Sequence, residues 1–376
     1  MKKALTNGRI LTGRSWQEGL AVLIDGDRIS GLCHASDCPP GYQCEDLGGN
    51  DLVPGFIDLQ VNGGGGMMLN DARTLDDIKT IAAAHRKFGT TGMLPTLISD
   101  SWDRMEAVAG LIREAVANNV PGILGIHFEG PYLNPDRKGV HDADKIRPVD
   151  EKFIELVTKG DLGHVLVTLA PEKVALAVIR ELAAKGVQVS AGHSNASYEE
   201  MRAAIGAGLS CVTHLYNAMP PMQSRAPGLI GAALTSPDCF CGFINDGHHV
   251  HPMTLKAAIA ANGAKRMMLV TDAMSCVGTD MTNFTLGDTT IKLEGGRLTT
   301  ADGTLAGSAL DMATAVRNTV NLLNLPLEEA IQLATGVPAA FLDLEKSHGR
   351  IAAGMRADLV LLDATMTVRK SWIGGQ

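Results

Sequence analysis

The chain has 376 residues, 45% hydrophobic and 20% charged, with a net charge of −8; that is core enough for a barrel of about 250 residues plus a small attached domain. The acidic balance argues against nucleic acid or an anionic membrane as partner, and an anionic small molecule would need its own local cations. No apolar signal core follows Met1-Lys2-Lys3, no run approaches a membrane span, and the seven cysteines lack framework spacing; the expectation is a cytoplasmic protein with reduced thiols.

Residues 1–54 alternate short apolar runs (4–11, 21–24, 28–32) with turns, and Asp25-Gly26 is a hairpin signal. The other end, with strand patterns over 357–363 and 367–373, is also β material. These two ends predict one small β-sandwich domain built from 1–54 and 346–376, around a middle domain over 55–345. Within that middle the pattern becomes strand then helix. Strand candidates fall at 56–60, 91–96, 123–127, 165–170, 187–191, 210–213, 240–245 and 267–271, with amphipathic helices such as 75–88, 101–118, 173–185 and 253–262 between them. Eight strands alternating with helices predict an α/β fold, a (β/α)8 TIM-like barrel, rather than an open sheet. The glycines at 63–66 lead into Met67-Met68-Leu69-Asn70, without the helix start or later carboxylate of a dinucleotide site. After the eighth strand, residues 283–305 read as an inserted β-hairpin, and helices over 312–323 and 327–335 follow.

The stretch 187–219 is the most informative. Two apolar runs end in His193 and His214, and Ser197-Tyr198-Glu199-Glu200 between them has the spacing of a helix start. One helix and two turns place the runs side by side as parallel strands, with both histidines on one rim. In such a barrel the active site lies at the carboxyl ends of the strands. There Glu129 follows the third strand, His193 and His214 the fifth and sixth, and Asp272 the eighth. One carboxylate oxygen and two imidazole nitrogens leave a position for water, as a catalytic divalent site requires. An ion held there lowers the pKa of water and supplies a hydroxide nucleophile near neutral pH. Asp272 is the candidate general base and later acid. His127, two residues before Glu129, reads as a supporting residue. By composition alone His141 and Arg225 carry no assignment.

Read together, these residues resemble the amidohydrolase superfamily and, within it, the N-acetylglucosamine-6-phosphate deacetylase family. The resemblance rests on Pro54-Gly55-Phe56-Ile57-Asp58, His127-Phe128-Glu129-Gly130-Pro131, Lys138-Gly139-Val140-His141, Leu169-Ala170-Pro171-Glu172, Gly192-His193-Ser194, Thr213-His214-Leu215-Tyr216-Asn217-Ala218-Met219, Asp246-Gly247-His248-His249 and Val270-Thr271-Asp272-Ala273, in that order. It implies hydrolysis of the acetamide of N-acetyl-D-glucosamine 6-phosphate to D-glucosamine 6-phosphate and acetate, in amino-sugar metabolism. It also implies that Glu129, His193 and His214 bind the metal, that Asp272 is the catalytic acid/base, and that His141 holds and polarises the amide carbonyl. Arg225 and His249 match sugar-phosphate contacts. Gln60, Asn62, Val140, Asn217 and Ala218, with the loop of Leu305, Ala306 and Gly307, match segments lining the substrate. The family is similar in being homodimeric, with some phosphate contacts supplied by the partner subunit.

One departure from the wider superfamily is informative. The first strand there carries two histidines for a second metal; here Gln60-Val61-Asn62 stands in that place, and amides are poor zinc ligands beside imidazole. The expectation is one divalent ion, Zn2+ first and Fe2+ second. The alternatives are an N-acetylgalactosamine-6-phosphate deacetylase or another amidohydrolase and, from a different class, a non-catalytic scaffold of the same architecture. Retention of Glu129, His193, His214 and Asp272 together speaks against the scaffold.

Overall fold

The computed structural model describes residues 2–376. Eight parallel strands form the centre: β1 (Phe56–Val61), β2 (Thr90–Ile98), β3 (Gly125–Glu129), β4 (His164–Leu169), β5 (Gln188–Ala191), β6 (Cys211–Val212), β7 (Phe240–Phe243) and β8 (Met267–Leu269). Neighbours in chain are neighbours in the sheet. The ring closes just beyond β8, where Val61 bridges Ala273 in parallel and the Asp272 N–H donates to the Gln60 carbonyl at 2.9 Å. All nine residues of β2 are buried, because helices outside and side chains inside cover both faces of a parallel barrel.

Local chemistry sets the helices between the strands. Thr74 and Asp77 make a reciprocal cap for the helix Leu75–Arg86. Ser197 and Glu200 do the same for Tyr198–Gly206, as the S-x-x-E spacing predicts. That helix returns the chain so that Ser190 of β5 pairs with Cys211 of β6. Strand ends differ from expectation by one or two residues, and two of these differences bear on the site: β3 continues to Glu129, paired to Thr168 of β4, and β6 stops at Val212, before the backbone turns left-handed at His214 (φ +35°).

The insertion is a three-stranded antiparallel sheet, Asn283–Leu286, Thr289–Glu294 and Arg297–Thr299, where the sequence predicted a hairpin. Gly295 and Gly296, both at positive φ, make a second reversal that pairs Glu294 with Arg297. Phe284, Ile291 and Leu298 pack its inner face onto Met274 and Ala306. At the chain ends, a four-stranded sheet uses Lys2–Thr6, Leu20–Asp25, Arg28–His34 and Gln43–Asp46, and a five-stranded sheet joins Arg9–Thr12, Ser15–Gln17 and Asp51–Pro54 to Leu359–Leu362 and Val368–Trp372. Leu5, Ile10, Val22, Leu52, Leu359 and Trp372 are among the residues that form their common core, the small β-sandwich drawn from both termini. No helix among the described residues is long and apolar enough to cross a membrane.

Candidate active site

Three side chains converge at the carboxyl rim. Glu129 Oε1 lies 2.9 Å from His214 Nε2 and 3.2 Å from His193 Nε2, and the two imidazole nitrogens are 3.0 Å apart. All three residues are buried. His193 donates its Nδ1–H to the Arg137 carbonyl at 2.8 Å, which leaves the Nε2 lone pair facing the cluster. One carboxylate oxygen and two imidazole nitrogens, drawn from three strand ends and all within 4.8 Å of one another, are the ligand atoms that a single divalent ion takes. The donor set therefore fits one divalent ion.

Asp272 stands opposite on the seam of the barrel. Its Oδ1 accepts from Asn62 Nδ2 at 2.6 Å and from Gln60 Nε2 at 3.1 Å. The same Gln60 amide donates to Glu129 Oε1 at 3.1 Å. The two amides that replace the superfamily's histidines are thus donors to the two carboxylates. Burial, reinforced by the charge of Glu129, raises the Asp272 carboxyl to about 6. The segment after the insertion holds this strand end in place: the Ser308 N–H donates to the Asp272 carbonyl at 2.9 Å. Gly307 permits the approach, since a Cβ there would lie 2.9 Å from the Asp272 carbonyl oxygen and 2.7 Å from Met274 Sδ.

His141 completes the floor. Its Nδ1 accepts from the Ser99 hydroxyl at 2.8 Å and from the Ser99 N–H at 3.3 Å, so the proton of the neutral ring sits on Nε2. Burial and the neighbouring His193 depress its pKa to about 3, so the ring is neutral across the physiological range. His127 is spent structurally, donating Nδ1–H to the Leu59 carbonyl at 3.0 Å and accepting from the Thr168 hydroxyl at 2.7 Å.

These groups open into a cavity of about 540 Å³ whose lining includes Asn62, Val140, Asn217, Ala218, His249, Leu305 and Gly307. Arg137 and Arg297 also line it, the latter from the insertion, so the cations an anionic ligand needs are present in an acidic protein. Three of the residues expected at the substrate lie elsewhere. Gln60 sits beneath the carboxylates, Ala306 is fully buried in the apolar underside of the insertion, and Arg225 is exposed on a loop outside the cavity. The sequence reading gave no role to Ser99, Glu172 and Arg297. A serine after a strand and a carboxylate before a helix are too common to stand out, and Arg297 reaches the rim only through the second reversal at Gly295-Gly296.

The amidohydrolase family profile matches residues 52–376, and the NagA composite domain matches residues 4–52. An N-acetylgalactosamine-6-phosphate deacetylase of Shewanella sp. (strain ANA-3) is 45% identical, covering 98% of this chain and 94% of that one. The crystal structure of N-acetylglucosamine-6-phosphate deacetylase from Pasteurella multocida superposes with a TM-score of 0.96 at 34% identity, covering 100% and 99% of the two chains. A mutant of the Mycobacterium smegmatis N-acetyl-D-glucosamine-6-phosphate deacetylase, solved with N-acetyl-D-glucosamine 6-phosphate, gives 0.91 at 34% identity, covering 100% and 98%. With a barrel of this topology, a Glu-His-His cluster on its rim and similarity along the whole chain, the protein belongs to the amidohydrolase family, among its amino-sugar-phosphate deacetylases.

Proposed function

We propose that the chain hydrolyses the acetamide of N-acetyl-D-glucosamine 6-phosphate to D-glucosamine 6-phosphate and acetate. The observation that carries this reading is the Glu129, His193 and His214 cluster, in one cavity with the Asp272 carboxylate and the His141 ring. Glu129, His193 and His214 would hold one divalent ion, for which two imidazoles and one carboxylate suit Zn2+ first and Fe2+ second. When bound, that ion supplies Lewis acidity and makes water a nucleophile near neutral pH.

The chain's own groups do the rest. Asp272 takes a proton from the attacking water, and its Oδ1 stays pinned by Asn62 and Gln60 while it does so. His141 presents Nε2–H to the acetamide oxygen as negative charge develops there, and because the ring is already neutral and fixed by Ser99 this costs little reorganisation. As the C–N bond breaks, Asp272 returns the proton to the amine, which leaves as glucosamine 6-phosphate. His249, held by Asp246 Oδ2 at 2.7 Å, and the cations Arg137 and Arg297 face the sugar phosphate. Asn62, Val140, Asn217, Ala218, Leu305 and Gly307 flank the sugar, Ala306 and Gln60 acting from behind them. The exposure of Arg225 outside its own cavity suits a phosphate contact made across a homodimer. Free thiols at all seven cysteines accord with the cytoplasm. We place the domain limits at 1–54, 55–345 and 346–376, where the terminal strands hand over to the barrel.

A second reading, the galactosamine epimer as substrate, is favoured by the 45% identical relative of that name. Steady-state kcat/KM on both N-acetylated hexosamine 6-phosphates separates the two. The expected result is efficient turnover of the glucosamine compound by a preparation that retains a divalent ion. Exclusive turnover of the galactosamine compound would replace the substrate, and a metal-free inactive preparation would remove the hydrolase reading.

A further inference from the structure

Glu172 lies in the short turn Pro171–Lys173 just past strand β4 on the rim, and the helix that follows makes no use of it: Leu176–Ala184 has Ala175 at its N-cap and no side-chain cap. Every protein contact of its carboxylate goes instead to the segments that frame His193. Oε1 accepts from the Asn195 N–H at 2.6 Å and from Asn134 Nδ2 at 2.9 Å, and Oε2 accepts from the Ser194 hydroxyl at 2.6 Å. Ser194 and Asn134 are buried, so an anionic acceptor there makes strong bonds.

Two routes lead from this carboxylate to the imidazole. Through Asn134, whose N–H donates to the His193 carbonyl at 2.9 Å, it fixes the backbone of a histidine held at φ +49°, a conformation that persists only where the surroundings over-determine it. Through Asn195, whose Oδ1 accepts from Arg137 Nε at 2.6 Å, it fixes the loop whose Arg137 carbonyl takes the His193 Nδ1 proton at 2.8 Å. The first route sets where the ring is attached; the second sets its tautomer and rotation.

We propose that Glu172 is a positioning residue for the metal site: it holds His193 so that Nε2, unprotonated, points at the ion. This rests on His193 being a metal ligand. Outer partners of this kind are worth about 10- to 100-fold in metal affinity. The test is the Zn2+ dissociation constant of the full chain, measured with Zn2+ alone against a chromogenic chelator, for wild type, Glu172→Gln and Ser194→Ala. Glu172→Gln is expected to bind Zn2+ about 10- to 100-fold more weakly, Ser194→Ala to weaken it in the same direction but less, and excess Zn2+ to restore the kcat of Glu172→Gln with KM unchanged. A merely structural role would give no rescue by the ion. Wild-type affinity in Glu172→Gln overturns the proposal while leaving the metal site standing. If that variant does not fold, Ser194→Ala decides, and an unchanged constant there overturns it as well. A wild type that binds no Zn2+ overturns the metal site itself and this proposal with it.

Discussion

The carboxyl rim of the barrel and the turns elsewhere both hold non-glycine residues in the left-handed region, but by different means. Away from the rim the residues are Asn7, Asn119, Asn324, Asp343 and Met366; four of the five are Asn or Asp, the types whose short polar side chains tolerate this conformation. On the rim they are His193, His214, Tyr216, Ala218 and Asp272. Asp272 and the two histidines are types enriched in this conformation, Tyr216 and Ala218 are not, and each such residue costs about 1–3 kcal/mol. The turns choose residues that suit the backbone. The rim instead bends the backbone to suit the chemistry and holds it with Ser308, Asn134 and the barrel seam.

Asp272→Asn should break this comparison most severely. It keeps the seam and the size of the side chain but removes the proposed proton carrier, so kcat/KM should fall about 10²–10⁴-fold with metal content unchanged; near-native activity would strip Asp272 of that role. Next in size is the pH profile. In the proposed mechanism the working base is the Asp272 carboxylate, present above a pKa that burial raises to about 6, and a bound cation can only favour the anion and move that value down. Activity should therefore rise from acid pH to a plateau with a midpoint no higher than about 6; a midpoint at neutral pH or above contradicts the assignment. The smallest effect sharpens the contrast between the two regions. Met366→Asn should relieve a left-handed turn and add up to about 1 kcal/mol in urea denaturation without altering kcat/KM. Ala218→Gly relieves the same conformation beside the cavity and should raise KM. Equal kinetic effects from both would erase the distinction.

Much of this was legible in residue order. The Ser197–Glu200 pair marks its helix start, and the helix over 312–323 has the predicted bounds. The convergence of Glu129, His193, His214 and Asp272 follows from placing each at a strand end. What stayed hidden depends on partners far apart in the chain. Gln60 and Asn62 read as a lost metal site, and only the fold brings their amides onto carboxylates 69 and more than 200 residues away. Glu172 depends on a loop crossing from Asn134, and Arg225 is exposed on a loop outside the cavity.

The seam between the first and last strands has a consequence for biosynthesis. Gln60 and Asp272 touch across 212 residues, whereas Glu129, His193 and His214 all precede residue 215. In order of synthesis the three proposed ion holders come first, and the place of Asp272 is set by contacts to the first strand and to residue 308, made later. The order of the chain thus sets the proposed ion holders ahead of the proposed proton carrier, and the catalytic set is complete only once the last strand has met the first.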